Sequence, residues 1–252
     1  MKIKRVIGVA AWFLTMTASG LSQGRGQAPQ TPPTPRAQAP IDLTGQWVAV
    51  VTEDWRWRMV TPPKGDFASM PTNPAGIQAG QQWDPAKDEA AGEQCKSYGA
   101  PAIMRVPGRV RISWENDTTL KLETDAGQQT RLFRFGESQQ PAGPPTWQGQ
   151  STANWEMPGG RGRGGPPSGG SLKVVTTGAR PGYLRKNGYP YSEKATVTEY
   201  FDRTVEANGD SWLIVTTIVR DPVYLAQEFI TSSHFRKQTD NAGWNPQPCS
   251  SR

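Results

Sequence analysis

The chain has 252 residues, with 28 basic and 22 acidic side chains, a formal net charge of +6 and a single histidine. Five of the basic residues, Lys2, Lys4, Arg5, Arg25 and Arg36, precede Asp42, and every acidic residue lies from Asp42 onward. The body is therefore nearly neutral, and the basic balance is no argument for a nucleic-acid partner. One histidine excludes a multi-histidine zinc site. The absence of a G-x-S-x-G elbow, a phosphate loop, a dinucleotide fingerprint and a calcium loop leaves no cofactor expected.

In chain order, Lys2, Lys4 and Arg5 precede an apolar run from Val6 to Met16, and Ala18-Ser19-Gly20 follows it. That is the pattern of a secretory signal peptide over residues 1–20, too short to be a spanning helix. No cysteine follows the run, which argues against a lipoprotein anchor, and no later stretch is apolar for transmembrane length. The expected location is periplasmic or secreted. Residues 21–40 are rich in Gln, Pro, Ala and Gly without periodicity and read as a disordered tether. Residues 41–252 read as a single β domain.

The first strand alternates strictly. If unbroken, it places Trp47, Ala49, Val51, Glu53, Trp55 and Trp57 on one face, and Arg56 and Arg58 on the other. Thr61 to Gln82 is proline-rich and reads as a long loop of the kind that wraps or covers a site. Asp84 to Tyr98 reads as a helix with Asp84 as N-cap and Pro85 at its first position. Ala102 to Val106 reads as a short strand. Arg109 to Glu115 and Thr118 to Thr124 form a hairpin about Asn116-Asp117. Thr130 to Phe135, Trp147 to Glu156 and Leu172 to Thr177 are further strands. The Gly/Arg-rich stretch 158–170 between the last two resembles RNA-binding repeats in composition but reads as an inserted flexible loop. Ala195 to Val205 and Ser211 to Arg220 flank a strong turn signal at Asn208-Gly209, and Phe229 to Lys237 is the last strand.

Short strands at regular spacing make the expected fold all-β: an antiparallel, lipocalin- or calycin-like barrel of about 9–10 strands with one short helix. In an exported protein two cysteines favour a disulfide. Cys95–Cys249 would tie the helix to the tail, contributing roughly 3–5 kcal/mol.

Two resemblances follow. Gly45-x-Trp47 at the start, with Arg236 in the final strand, resembles the lipocalin arrangement, which implies an arginine packed on the opening tryptophan. Thr146-Trp147-Gln148-Gly149-Gln150-Ser151, Trp155-Glu156, Leu172-Lys173-Val174-Val175-Thr176-Thr177, Pro190-x-Ser192-Glu193, Thr198-Glu199-x-Phe201-x-Arg203 and Asp221-Pro222 recur in order. They resemble a group of uncharacterised exported bacterial proteins. The likeness covers about residues 146–236 and departs from the pattern at Tyr200 and in the Gly/Arg loop. It implies a calycin-like β domain and export, and no reaction.

The candidate site residues have different warrants. Trp55, Arg56, Trp57 and Arg58 combine stacking with anion-binding chemistry beside the proline-rich loop. Glu199 shares a face with Val197 and Phe201, so it is either a ligand anchor or general base, or a structural ion pair with Arg203, Arg220 or Arg236. His234 could complete an acid–base pair with Glu199. Tyr189 and Tyr191 lie in a loop that either rims a barrel mouth or packs over a sheet edge. The expected function is binding of a small, partly apolar or aromatic ligand in or at the mouth of the barrel. The alternatives are a cofactor-free enzyme using Glu199 and His234, and an accessory protein docking a partner through an exposed Trp/Arg surface. A closed interior holding Glu199 and several tryptophans would support binding or catalysis. A filled interior with Trp55 and Trp57 exposed would support the partner surface.

Overall fold

The structure, a computed structural model, describes residues 32–136, 144–157 and 169–252. The expected signal peptide, most of the expected tether and residues 158–168 of the Gly/Arg loop lie outside the described residues. The strands in chain order are β1 (Gly45–Val50), β2 (Arg109–Asn116), β3 (Thr119–Thr124), β4 (Thr130–Phe135), β5 (Gln150–Glu156), β6 (Ser171–Thr177), β7 (Gly182–Arg185), β8 (Tyr189–Tyr191), β9 (Thr196–Val205), β10 (Ser211–Arg220) and β11 (Phe229–Lys237). Among the described residues, all but β7 and β8 close a barrel in the order β1-β11-β10-β9-β6-β5-β4-β3-β2. The all-β expectation therefore holds. One departure from an antiparallel barrel is β4, which runs parallel to β5 over three residue pairs, Phe133↔Ser151 to Phe135↔Ala153. A parallel neighbour cannot be reached by a tight turn, and residues 136–149 separate the two strands in sequence.

The barrel interior follows from the period-2 pattern. Trp47, Ile112, Leu122, Phe133, Leu172, Phe201, Leu213 and Phe235 are buried and form one continuous apolar cluster. They fill the interior with side chains. The indole nitrogen of Trp47 donates to the Leu43 carbonyl at 3.0 Å. The cation over its ring is Lys237, 5.3 Å from the centroid, and not Arg236. The register explains this correction: Trp47 lies opposite Lys237 and Val48 opposite Arg236, so Arg236 takes the outer face and is exposed. Part of the expected tether is also ordered. The Pro35 carbonyl accepts from the Trp155 indole at 2.8 Å, and Arg36 N–H donates to the Asp117 carbonyl at 3.1 Å. A half-buried tryptophan needs an acceptor, and this segment supplies it.

The other end of the barrel carries a thick lid. The connections β1–β2, β6–β9 and β10–β11 all leave from this end, because each joins antiparallel neighbours and the registers set Val50 opposite His234, Val219 opposite both Phe229 and Val197, and Thr176 opposite Val197. The expected long first strand stops at Val50. Trp55–Arg58 is instead a single helical turn, α1. Asp54 sits at φ 53°, in the left-handed region that asparagine and aspartate tolerate, and its carbonyl accepts from Trp57 and Arg58 at 2.9 and 3.0 Å. The proline-rich loop contains α2 (Pro74–Gly80), capped by Asn73 accepting from Gly76 N–H at 2.8 Å. The expected helix from Asp84 is shorter, α3 (Pro85–Ala90), with Asp84 as its cap. Gly92 at φ +70° breaks it before a 3-10 turn, Gln94–Tyr98. Ala102 to Val106 is not a strand but contains a second 3-10 turn, Ile103–Arg105.

A second apolar cluster holds the lid to the barrel: Met70, Leu184, Tyr189, Tyr191, Val197, Val219, Leu225 and Phe229, with Phe67 beside them. The Cys95–Cys249 disulfide ties the 3-10 turn to the C-terminal tail, with the two Cα atoms 5.0 Å apart. No helix among the described residues is long and apolar enough to cross a membrane.

Candidate functional site

The lid's first helical turn divides the four-residue candidate in two. Trp55 is 63% exposed and Arg56 points outward, within 3.9 Å of the Asp66 carboxylate. Trp57 and Arg58 turn inward. Arg58 is buried, and it meets two further buried arginines, Arg105 from the second 3-10 turn and Arg185 from β7. Together with Pro107 and Leu184 these side chains line a small cavity of about 30 Å³ under the lid. That is room for a water or the head of a small anion.

Three guanidiniums here face two carboxylates. Arg58 pairs with Glu53 through Nη1 and donates from Nε to the Arg105 carbonyl at 2.9 Å. Arg105 donates from Nη1 to Asp54 at 3.0 Å and lies over the Phe229 ring. Among the described residues Arg185 makes no close ion pair, and Asp54 and Asp66 act on it only from further off. Its Nη1 reaches only the Asp66 carbonyl, at 3.3 Å, and its guanidinium sits 5.1 Å over the Trp57 ring. Among the described residues, Nη2 of Arg58, Nε and Nη2 of Arg185 and the indole nitrogen of Trp57 are buried donors without an acceptor. Burial, and then the charge of Arg105, push the Arg185 guanidinium down to about 10, which still leaves it protonated at neutral pH. Burial also lowers Arg58 and Arg105, against the opposing carboxylates Glu53 and Asp54. A cluster of buried donors with excess positive charge is costly when empty and favourable to a carboxylate or phosphate that accepts from several of them.

The remaining candidates are dispersed. Tyr189 is buried, donates to the Tyr224 carbonyl at 2.6 Å and meets Phe67 edge-on. Tyr191 is buried against Gly99 and Gly182. Of the two readings of their segment, packing is the observed one: both belong to the lid core, in a hairpin and not at an open rim. Glu199 is fully buried inside the barrel, but its partner is Arg131 and not Arg203, Arg220 or Arg236. Arg131 donates from Nη1 and Nη2 to the two carboxylate oxygens at 2.9 and 2.5 Å. Arg203 and Arg220 are bound to Ser211 and Glu228 respectively, and Arg236 is outside. His234 lies on the outer wall, 3.4 Å from Glu53 and 3.3 Å from the Ser232 hydroxyl. Parity separates it from Glu199, so the structure does not bring the two together.

Reasoning from the residues missed Arg105, Arg185 and Arg131. Arg131 was readable, since it shares a strand face with Phe133 and Phe135. Arg185 sat in a segment dense in Tyr and cations. Arg105 carried no signal, because its stretch reads as a strand. The pattern residues of the wider resemblance have structural partners. Ser192 donates to Asp221 through both its N–H and hydroxyl, at 2.6 and 2.8 Å. Thr176 and Glu199 bind Arg131, and Ser151 shares a hydrogen bond with Thr176. Compared with known proteins, the chain matches no family model, no curated protein and no solved structure.

Proposed function

We propose that this is an exported binding protein for a small anionic ligand with an apolar or aromatic body, seated at the lid end of the barrel. The observation that carries the reading is the set of buried donors without acceptors on Trp57, Arg58 and Arg185. Since the barrel interior is filled, the ligand site is the mouth and not the lumen. The ligand's acidic group lies among Arg58, Arg105 and Arg185, and Trp57 covers it. The signal-peptide features and the disulfide support export, since such bonds persist in oxidising compartments. Titration with benzoate and phenyl phosphate, followed by tryptophan fluorescence, tests this. A saturable change that benzyl alcohol does not give, and that Arg185→Met abolishes, is expected. Silence towards both acids would count against it.

A second reading is favoured by one observation. Trp55, Met59 and Val60 are 63, 59 and 64% exposed on the same segment, which is apolar surface for a protein partner. Trp55→Ser separates the two readings, because it removes that surface and leaves the anion pocket intact.

A further inference from the structure

An opening larger than the lid cavity is elsewhere. It lies in the barrel wall where β4 and β5 diverge, and it has a volume of about 580 Å³, within the range of small-molecule sites. The parallel pairing starts only at Phe133. Thr130, Arg131 and Leu132 therefore pair with β3 alone, and their other edge faces the gap. The opposite wall is the lead-in to β5, Gln148 to Ser151. Gly149 lets that wall pass close to β6: it sits at φ +56°, and a Cβ there would fall 2.4 Å from the Thr177 carbonyl.

Each wall offers one buried polar atom without a partner among the described residues. On the β4 wall it is a donor, Nε of Arg131, a side chain with no exposed surface. On the facing wall it is an acceptor, Oε1 of Gln148. The orientation of that amide is set by its nitrogen, which donates to the Tyr98 carbonyl at 2.7 Å and to Gln129 at 2.9 Å. The charge of Arg131 is already matched by Glu199, which binds it through both carboxylate oxygens. Two residues lining one opening thus carry an unmatched N–H and an unmatched carbonyl, a pair that suits a hydroxyl, which accepts from one and donates to the other. It does not suit an anion, which Gln148 Oε1 would repel. Pro144, Pro145 and Leu132 add apolar surface at the opening, suited to the C–H face of a sugar ring.

We propose that this seam is a second binding site, independent of the lid, for an uncharged hydroxyl-rich ligand of the saccharide class. The test is saturation-transfer NMR of the full chain with maltose, cellobiose and glucuronate as probes. Leu132→Trp fills the opening from the outer face and leaves the Arg131–Glu199 pair in place. Gln148→Met removes the acceptor, and near-ultraviolet circular dichroism reports whether each variant is folded. Transfer to at least one neutral disaccharide is expected, weakened about tenfold or more by either variant, as loss of a buried hydrogen bond predicts, and unchanged in Arg185→Met. Absence of transfer to both neutral sugars, transfer to glucuronate alone, or binding untouched in folded Leu132→Trp would overturn the proposal.

Discussion

At the scale of single residues, two buried ionic arrangements behave in opposite ways. In the Arg131–Glu199 pair the charges are matched, with both carboxylate oxygens engaged and Thr176 accepting from Nη2 at 3.2 Å. Removing one charge leaves the other stranded inside the barrel, so Glu199→Gln is expected to lower unfolding stability by about 3–5 kcal/mol in urea titration. The double variant Arg131→Met, Glu199→Leu should recover most of that loss. Recovery would mark the pair as a structural unit. Arg185 is the contrasting case, a buried charge with no close ion pair among the described residues, Asp54 and Asp66 acting on it only from further off. Arg185→Met should leave the unliganded protein as stable as wild type or about 1–2 kcal/mol more stable, because it replaces an unmatched guanidinium with apolar volume. A clear loss of stability would mean that its stacking on Trp57 outweighs the cost of burying it. Alternation made the carboxylate on an apolar face visible in advance. It could not name the partner, because pairing across the barrel depends on strand order, and β4 is separated from β9 by β5 and β6.

At the scale of elements, the strands were legible and the lid was not. Val110, Ile112, Leu120 and Leu122 alternate cleanly because one face is core and the other is solvent. The Trp47 to Trp57 stretch alternates equally well, yet its second half is a helical turn. The alternation cannot register that Asp54 reverses the chain, and tertiary contacts of Arg58 settle the outcome. The lid depends instead on specific polar ties. Glu93 accepts a hydrogen bond from Lys96, and this bond, helped by the charges of Lys96 and Arg180, holds its carboxyl below the usual value against the opposing effect of burial. A carboxyl depressed on folding stabilises fully above its unfolded value near 4.5 and loses that contribution as pH falls through the folded value. The thermal midpoint should therefore drop below about pH 4.5, and Glu93→Gln should flatten that acid limb. An unchanged limb would place the acid sensitivity elsewhere. The disulfide closes a loop with a sequence separation of 154. Cys249→Ser is expected to cost roughly 3–5 kcal/mol in chemical unfolding.

At the scale of the whole molecule, the filled barrel acts as a rigid base, and the chemistry lies in what is stacked on it. The fold class followed from strand spacing and turn signals, since those are local properties. The arginine cluster did not, because it gathers Arg58, Arg105 and Arg185 from three separated segments whose meeting is decided by the lid's packing. Only Trp57 and Arg58 carried a local signal. The central proposal is that these arginines hold a small acid. Native mass spectrometry of the protein purified from its own compartment tests it most directly, with wild type and Arg185→Met measured side by side. The expected result is a non-covalent acidic adduct on wild type, stripped by collision and absent from the variant. Identical spectra for the two proteins, bare or bearing the same adduct, would contradict it.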